Sequence, residues 1–327
     1  MSASRILALA CALLAAGATR AQSNEASAAY PAHPIHWILP GAPGSPPDVA
    51  ARIVGDGLAK ELRQPVIVEN HPGASGTIAL GAVAKSAPDG CTLGMLSMPL
   101  LIAPSIYPAL AYDMERDLVP VVEFVRFRFL LAVRSEGPIQ SVADLIAAAK
   151  ANPGRLTFAS ASNGTVPHLA GELLRRRAGI DIRHIPYKSG PFALNALLGG
   201  QVDMLFAPPS TLSAHLRAGK LRALATLAPS RLPEYPDVPT MAQAGVPGIE
   251  MGDWFGIVVP AGTPKGIVGE ISAAVHRSLA RTGVRERLTA AGYGPVLDSS
   301  PERFASFVRS ESERWSAFVH EAGIRAD

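Results

Sequence analysis

From Ile35 onward the chain repeats one pattern: a short apolar run, a loop of Gly, Pro, Ser and Asn, then apolar residues at helical spacing. Ile35 to Leu39 reads as a buried strand. Residues 40–48 (PGAPGSPPD) form a loop, after which Val49, Ile53, Val54, Leu58 and Leu62 share one helical face. Pro65 to Glu69 predicts the next strand, Asn70 to Gly76 a loop leading to a helix through Ala84, and Cys91 to Met98 a third strand. Such runs alternating with helices predict βαβ units and a mostly parallel sheet.

The series restarts after a long apolar stretch, Val119 to Val133. A helix over Ser141 to Lys150 has Ser141 placed to cap it. A strand (Leu156 to Ala159), a loop (Ser160 to Thr165) and a helix (His168 to Ala178) closed by Gly179 come next. Residues 182–186, 202–206 and 221–227 predict strands, and 191–198 and 210–218 helices. A Pro-rich stretch, 229–247, leads to a return strand at Phe255 to Val259. Helices over 264–280, 284–291 and 301–322 end the chain, the last capped by Ser300 with Pro301 at its first position. The pattern predicts an α/β chain of two lobes joined by two crossings. Residues 33–126 with 255–327 form lobe 1, and 127–254 form lobe 2.

Residues 1–21 stand outside this pattern. Arg5 precedes an apolar run from Ile6 to Ala18, and Thr19-Arg20-Ala21 offers a small residue for cleavage. This predicts a secretory signal peptide, followed by an alanine-rich linker over 22–32. Its removal changes the charge and cysteine pictures. The full chain of 327 residues carries 30 Lys and Arg against 27 Asp and Glu, a net +3. Without Arg5 and Arg20 the balance is 28 − 27 = +1. Basicity then gives no reason to expect a nucleic-acid face, which needs clustered cations. Cys11 leaves too, so Cys91 has no partner for an intramolecular disulfide and reads as inert strand core. With 48% hydrophobic and 17% charged residues the chain is globular. No other segment is long and apolar enough for a membrane helix. The expected product is exported to the periplasm.

Catalytic signatures are missing: there is no HExxH, CxxC or GxxxxGK[ST] pattern, and the histidines lack metal spacing. Gly55-Asp56-Gly57 lies inside a helix and reads as helix packing. Gly73-Ala74-Ser75-Gly76-Thr77 misses a nucleophile elbow because Thr77 stands where glycine is needed. One device does recur. Strands end in Gly, Ser, Thr, Asn or Pro loops that open directly into helices, at 41–48, 71–77, 160–165 and 187–191. Helix N-termini carry unpaired N–H groups and partial positive charge, so such loops can hold an anion without a charged side chain. In open α/β sheets they lie where ligands bind.

Several segments carry a family likeness. His36-Trp37-Ile38-Leu39-Pro40 with Ala42-Pro43-Gly44 and Asp48, Gln64 through Ala74 (QPVIVENHPGA), Ala87-Pro88-Asp89-Gly90 and Ser160 through Glu172 (SASNGTVPHLAGE) are the first of them. HIPYKSG (184–190), LLGGQVDMLFA (197–207), RAGKLRALA (217–225), PDVPTMAQAGVPG (236–248) and WFGIVVPAGTPK (254–265) continue it. In this order they resemble the Bug-type periplasmic solute-binding proteins of the tripartite tricarboxylate transporter family. The resemblance spans the whole chain after residue 32. It implies a type II periplasmic-binding-protein fold with two α/β lobes, two crossing strands and a cleft that closes on a small carboxylate. It implies delivery to a membrane permease of one large and one small subunit, by a monomer without cofactor, metal or catalytic residue. Carried onto matching positions, it points to Ala42, Gly44, Ser45 and Asp48 in one lobe. Ser162, Asn163, Gly164 and Thr165 would face them, with Tyr187 nearby and Ala207 beyond. His168 matches as well, on a helix flank.

There are departures from the family pattern. The position after Pro40, commonly aromatic, is Gly41. The glycines and threonine usual before the aspartate are Ser45-Pro46-Pro47, and the prolines remove two N–H donors. Ala207-Pro208-Pro209 replaces residues often polar. Two rival readings remain: a ligand sensor docking on a receptor kinase, which would share the site, and a secreted hydrolase, either a serine hydrolase using Ser75 or one using a carboxylate such as Asp48.

Overall fold

The structure, a computed structural model, describes residues 30–107 and 109–325. The expected signal peptide and most of the linker lie outside those residues. Lobe 1 opens with β1 (Ile35–Leu39), α1 (Pro46–Leu62), β2 (Val66–Asn70), α2 (Thr77–Ala84) and β3 (Thr92–Leu96). Short helices α3 (Met98–Leu101), α4 (Ala103–Ile106) and α5 (Met114–Asp117) lead to the long strand β4 (Leu118–Arg128). The chain passes into lobe 2 at Phe129. There β5 (Leu130–Arg134), α6 (Val142–Ala151), β6 (Thr157–Ser160), α7 (Val166–Ala178), β7 (Arg183–Pro186), α8 (Gly190–Leu198), β8 (Met204–Ala207), α9 (Pro209–Arg217) and β9 (Leu221–Thr226) follow. It returns through residues 227–251 to β10 (Gly252–Pro260), α10 (Lys265–Ala280), α11 (Thr282–Ala290), β11 (Gly294–Pro295) and α12 (Pro301–Ala322).

Two sheets result. The first is six-stranded in the order β11-β4-β10-β3-β1-β2, and the second five-stranded in the order β7-β6-β8-β5-β9. The expectation of mostly parallel sheets holds for three strands of each, three of six in the first and three of five in the second. β1, β2 and β3 run parallel, as do β6, β7 and β8. β10 is antiparallel to β3 and β4, and β5 to β8 and β9. The physical reason is the crossing. A chain that leaves one sheet along β4 and comes back along β10 enters from the opposite end, so its return strand cannot be parallel to the outgoing one. β4 stays in the first sheet to Arg128 and β10 joins it from Gly252.

Local signals placed the helices. Ser141 and Ser300 accept the N–H groups of Asp144 and Arg303, capping α6 and α12. Gly179 takes the left-handed conformation after α7. Gly57 lets α1 meet α10: a methyl group there would stand 2.1 Å from Ser278 Oγ. The short helices α3 to α5 were not anticipated. Cys91 sits one residue before β3 and is only half-buried, with burial as the main cause raising its thiol pKa.

One apolar core runs through the junction. Trp37 packs edge-on against Phe124, and Phe127, Phe129, Phe255 and Tyr293 continue the aromatic chain. At the junction Leu227 N–H donates to Phe129 O (2.9 Å) and Met251 N–H to Leu227 O (2.8 Å), lacing the two crossings together. On the outside, Arg176 at the end of α7 pairs with Glu321 of α12 at 2.7 Å.

Candidate ligand cleft

The loops after β1 and β6 lie at the carboxyl ends of parallel strands, the position at which open α/β sheets bind ligands. The two lobes touch at two points here. Gly164, with φ +74°, turns its Cα against Ile106, where a methyl group would come within 2.4 Å of Cδ1. Gly292 meets Ser210 at the start of α9, with a methyl group there 3.1 Å from Cβ. Tyr293, beside Gly292, donates its hydroxyl to Pro46 O (2.9 Å), so the second contact is tied to the start of α1.

The lobe 1 loop is fastened by Asp48. Its carboxylate accepts Gly44 N–H (2.9 Å), Arg52 Nη2 (2.8 Å) and Asn70 Nδ2 (3.0 Å), and Asp48 is only 3% exposed. Asn70 also donates to Gly41 O (2.8 Å). Burial pulls the Asp48 pKa up, but the hydrogen bonds from Arg52, Gly44 and Asn70 prevail and hold it below the usual range. Asp48 is thus committed within its own lobe. Ala42 and Gly44 are exposed. Ser45 is the N-cap of α1 but caps nothing with its side chain, and its Oγ is buried without a partner.

The lobe 2 loop is held by histidines. Ser160 Oγ bonds His184 Nε2 (2.6 Å) and donates to Ser162 O (2.9 Å). His168 Nδ1 accepts Gly164 N–H (3.1 Å), which fixes the proton of the neutral ring on Nε2. The His168 and His184 rings stack at 3.8 Å with a 7° tilt, and Phe158 lies against His184. Burial, with the neighbouring His184 adding to it, lowers the His168 pKa to about 3. Thr165 donates its hydroxyl to Ser162 O (2.8 Å) and Tyr187 its N–H to Ser160 O (2.9 Å). Ser162 and Asn163 are half-buried at the loop's tip. Ala207 is buried at the end of β8, paired with Leu130.

Arg52, Asn70, His184, Ile106 and Tyr107 were missed from sequence. Arg52 alone had a local signal, lying four residues after Asp48 on one helix. Ser75 bonds the Tyr107 hydroxyl at 2.5 Å. Among the described residues no histidine hydrogen-bonds it, so the arrangement a serine nucleophile needs is not assembled there. No group of His, Cys, Asp and Glu suited to a metal occurs among the described residues. A hollow of about 770 Å³ opens away from the cleft, between α1 and α11, where Arg281 and Arg287 are already paired with Glu61 and Asp56.

Comparison with known proteins identifies the family of the chain. Residues 50–324 match the tripartite tricarboxylate transporter family receptor, TctC. BugT of Bordetella pertussis is 37% identical over 90% of this chain and 91% of its own. MatC of Rhodopseudomonas palustris, solved with malate, superposes with a TM-score of 0.80 at 35% identity, over 89% of this chain and 100% of that one. The R. palustris protein Rpa4515, solved with adipate, gives a TM-score of 0.82 at 32% identity, over 90% and 99%. The chain therefore belongs to the tripartite tricarboxylate transporter receptors, as a Bug-type solute-binding protein with the two-lobed periplasmic-binding-protein fold.

Proposed function

We propose that this receptor captures a small organic carboxylate between its lobes in the periplasm and hands it to the permease subunits of a tripartite transporter, working as a monomer and without chemistry of its own. Residues 33–126 and 255–327 would form one jaw and 127–254 the other, turning about the laced junction at Phe129 and Leu227. Contacts with the ligand fall to Ala42 in lobe 1 and to Ser162, Asn163 and Tyr187 in lobe 2. Gly44, Ser45, Asp48, Gly164, Thr165 and Ala207 shape the loops that present them.

The observation that carries this reading is family membership along nearly the whole chain, joined to relatives of 32% and 35% identity solved with adipate and malate. Closure requires a ligand that binds the closed state better than the open one. A carboxylate at ~100 times its dissociation constant stabilises the native protein by about 2.7 kcal/mol. A thermal-shift screen of mono-, di- and tricarboxylates should therefore give at least one upward shift. No shift with any acid, backed by silent calorimetry, would remove the reading.

A further inference from the structure

The two faces of the second sheet meet lobe 1 in different ways. On the face that carries α6 and α7, Phe158, Leu169 and Leu173 belong to one apolar core with Ile102, Ile106 and Val319 of lobe 1. On the other face Leu197, Leu205 and Leu212, at α8 and α9, belong to a separate core of lobe 2 alone. α7 is also tied to lobe 1 at both ends. Just before its first turn, Gly164 receives the Ile106 side chain, where a methyl group would come within 2.4 Å of Cδ1. In its last turn, Arg176 donates to the Glu321 carboxylate (2.7 Å) and to the Glu321 carbonyl, and lies over the Phe318 ring at 5.8 Å. α12, which carries Phe318 and Glu321, packs in turn on α3 and on α4, the helix of Ile106. The two ties are thus joined within lobe 1. On the α9 face the contact is Gly292 against Ser210, and Ser210 stays exposed.

We infer that the lobes part on one side only. α7 stays with α4 and α12 and serves as the hinge line, together with the junction at Phe129 and Leu227, and Gly292 with Ser210 forms the gate. This rests on the receptor reading above and says how its cleft opens. Parting the α7 face would bring Ile106 and Phe318 into water, at a cost proportional to the apolar area uncovered. Close-packed helices make small sliding shears instead of separating. Parting Gly292 from Ser210 uncovers a glycine and a hydroxyl, groups that water accommodates.

Pulsed electron paramagnetic resonance on the ligand-free protein tests it, with spin labels at exposed helix positions in a Cys91→Ser background. A214C/E286C reads the distance from α9 to α11, and A147C/H320C that from α6 to α12. The first pair should give a distance distribution several ångströms wider than the second, which should stay narrow. Wedging each contact with asparagine, which accepts the left-handed backbone of both glycines, gives a readout free of labels. G292N should leave Tm nearly unchanged, whereas G164N should lower it by several degrees, because Ile106 has nowhere to go. Equal widths for the two label pairs, or equal Tm losses for the two wedges, overturns the inference. The receptor reading stands or falls separately, by the carboxylate screen.

Discussion

The loops after β1 and β6 occupy matching places in the two sheets, yet opposite means hold them. In lobe 1 a carboxylate gathers Gly44, Arg52 and Asn70 around itself, an arrangement of full charges. In lobe 2 a stacked pair of imidazoles does the work, and His168 serves only while it is neutral, because a protonated Nδ1 cannot accept Gly164 N–H. One fold has thus solved the same positioning problem once with charge and once with its absence. The two solutions should answer differently to mutation and to pH.

The largest expected effect is at Asp48. Asp48→Ala leaves Asn70 and Gly44 N–H without their acceptor and should cost about 3 kcal/mol in urea denaturation. Arg52→Ala should cost less, because half of the Arg52 side chain is exposed. A change within about 0.5 kcal/mol for Asp48→Ala would mean that charge does not hold this loop.

Next comes Gly41, which interlocks with Ser45 and Pro47: a methyl group there would stand 2.2 Å from Ser45 Oγ and 2.7 Å from Pro47 Cγ. Gly41→Ala should destabilise by about 2 kcal/mol through overpacking, and G41A/S45G should recover part of the loss, because the Ser45 side chain is the first obstacle. A double-mutant cycle with no coupling would show that the two residues do not share the space.

The pH response sharpens the contrast further. His168 binds a proton more weakly when folded, at about 3 against 6.5, so its contribution is complete above pH 6.5 and is lost as pH falls below that. Asp253 on β10, buried and accepting the N–H groups of Met98 and Trp254, is raised by burial to about 7. Between about pH 4 and 7 the folded protein holds on Asp253 a proton that the unfolded chain has lost, so its effect has the opposite sign: stability falls as pH rises from about 4 toward 7. Each can reach about 1.4 kcal/mol per pH unit, and in the unaltered protein they oppose one another. Asp253→Asn should therefore expose an acid-side loss between pH 6.5 and 5, whereas His168→Asn should expose a gain on acidification. Denaturation midpoints with the same pH slope in both variants would contradict the assignment.

Ser45→Ala should have the smallest effect. It removes a buried hydroxyl without a partner and should leave stability unchanged or raise it by about 0.5 kcal/mol, readable as a small rise in Tm. A clear loss would reveal a bond that the hydroxyl makes in solution.

What the sequence disclosed and what it withheld divide along the same line. Ser141, Gly179 and Ser300 announce helix ends because capping is settled within four residues. The cleft loops were legible as loops for the same reason, through their Gly, Pro and Ser content. What fastens them was not. Asn70 reaches Asp48 across 22 positions, and His184 comes onto His168 only when β6 and β7 lie side by side. The antiparallel placing of β10 was hidden too, since a strand's direction is decided by where the chain re-enters the sheet. The interlock at Gly41 gave no sign either, because an absent side chain leaves no mark in a hydrophobic pattern.

The position of β10 also sets an order of events for the growing chain. It lies between β3 and β4, and all nine of its residues register with β4. Until residue 260 has emerged, the first sheet has a gap at its middle and β4 lacks its main partner. All five strands of the second sheet have been made once Thr226 has emerged. The middle of the chain should therefore mature first, and the earlier part should stay open to proteases and chaperones until the last quarter arrives. A chain stopped before Gly252 should yield a protease-resistant core from the second sheet and none from the first.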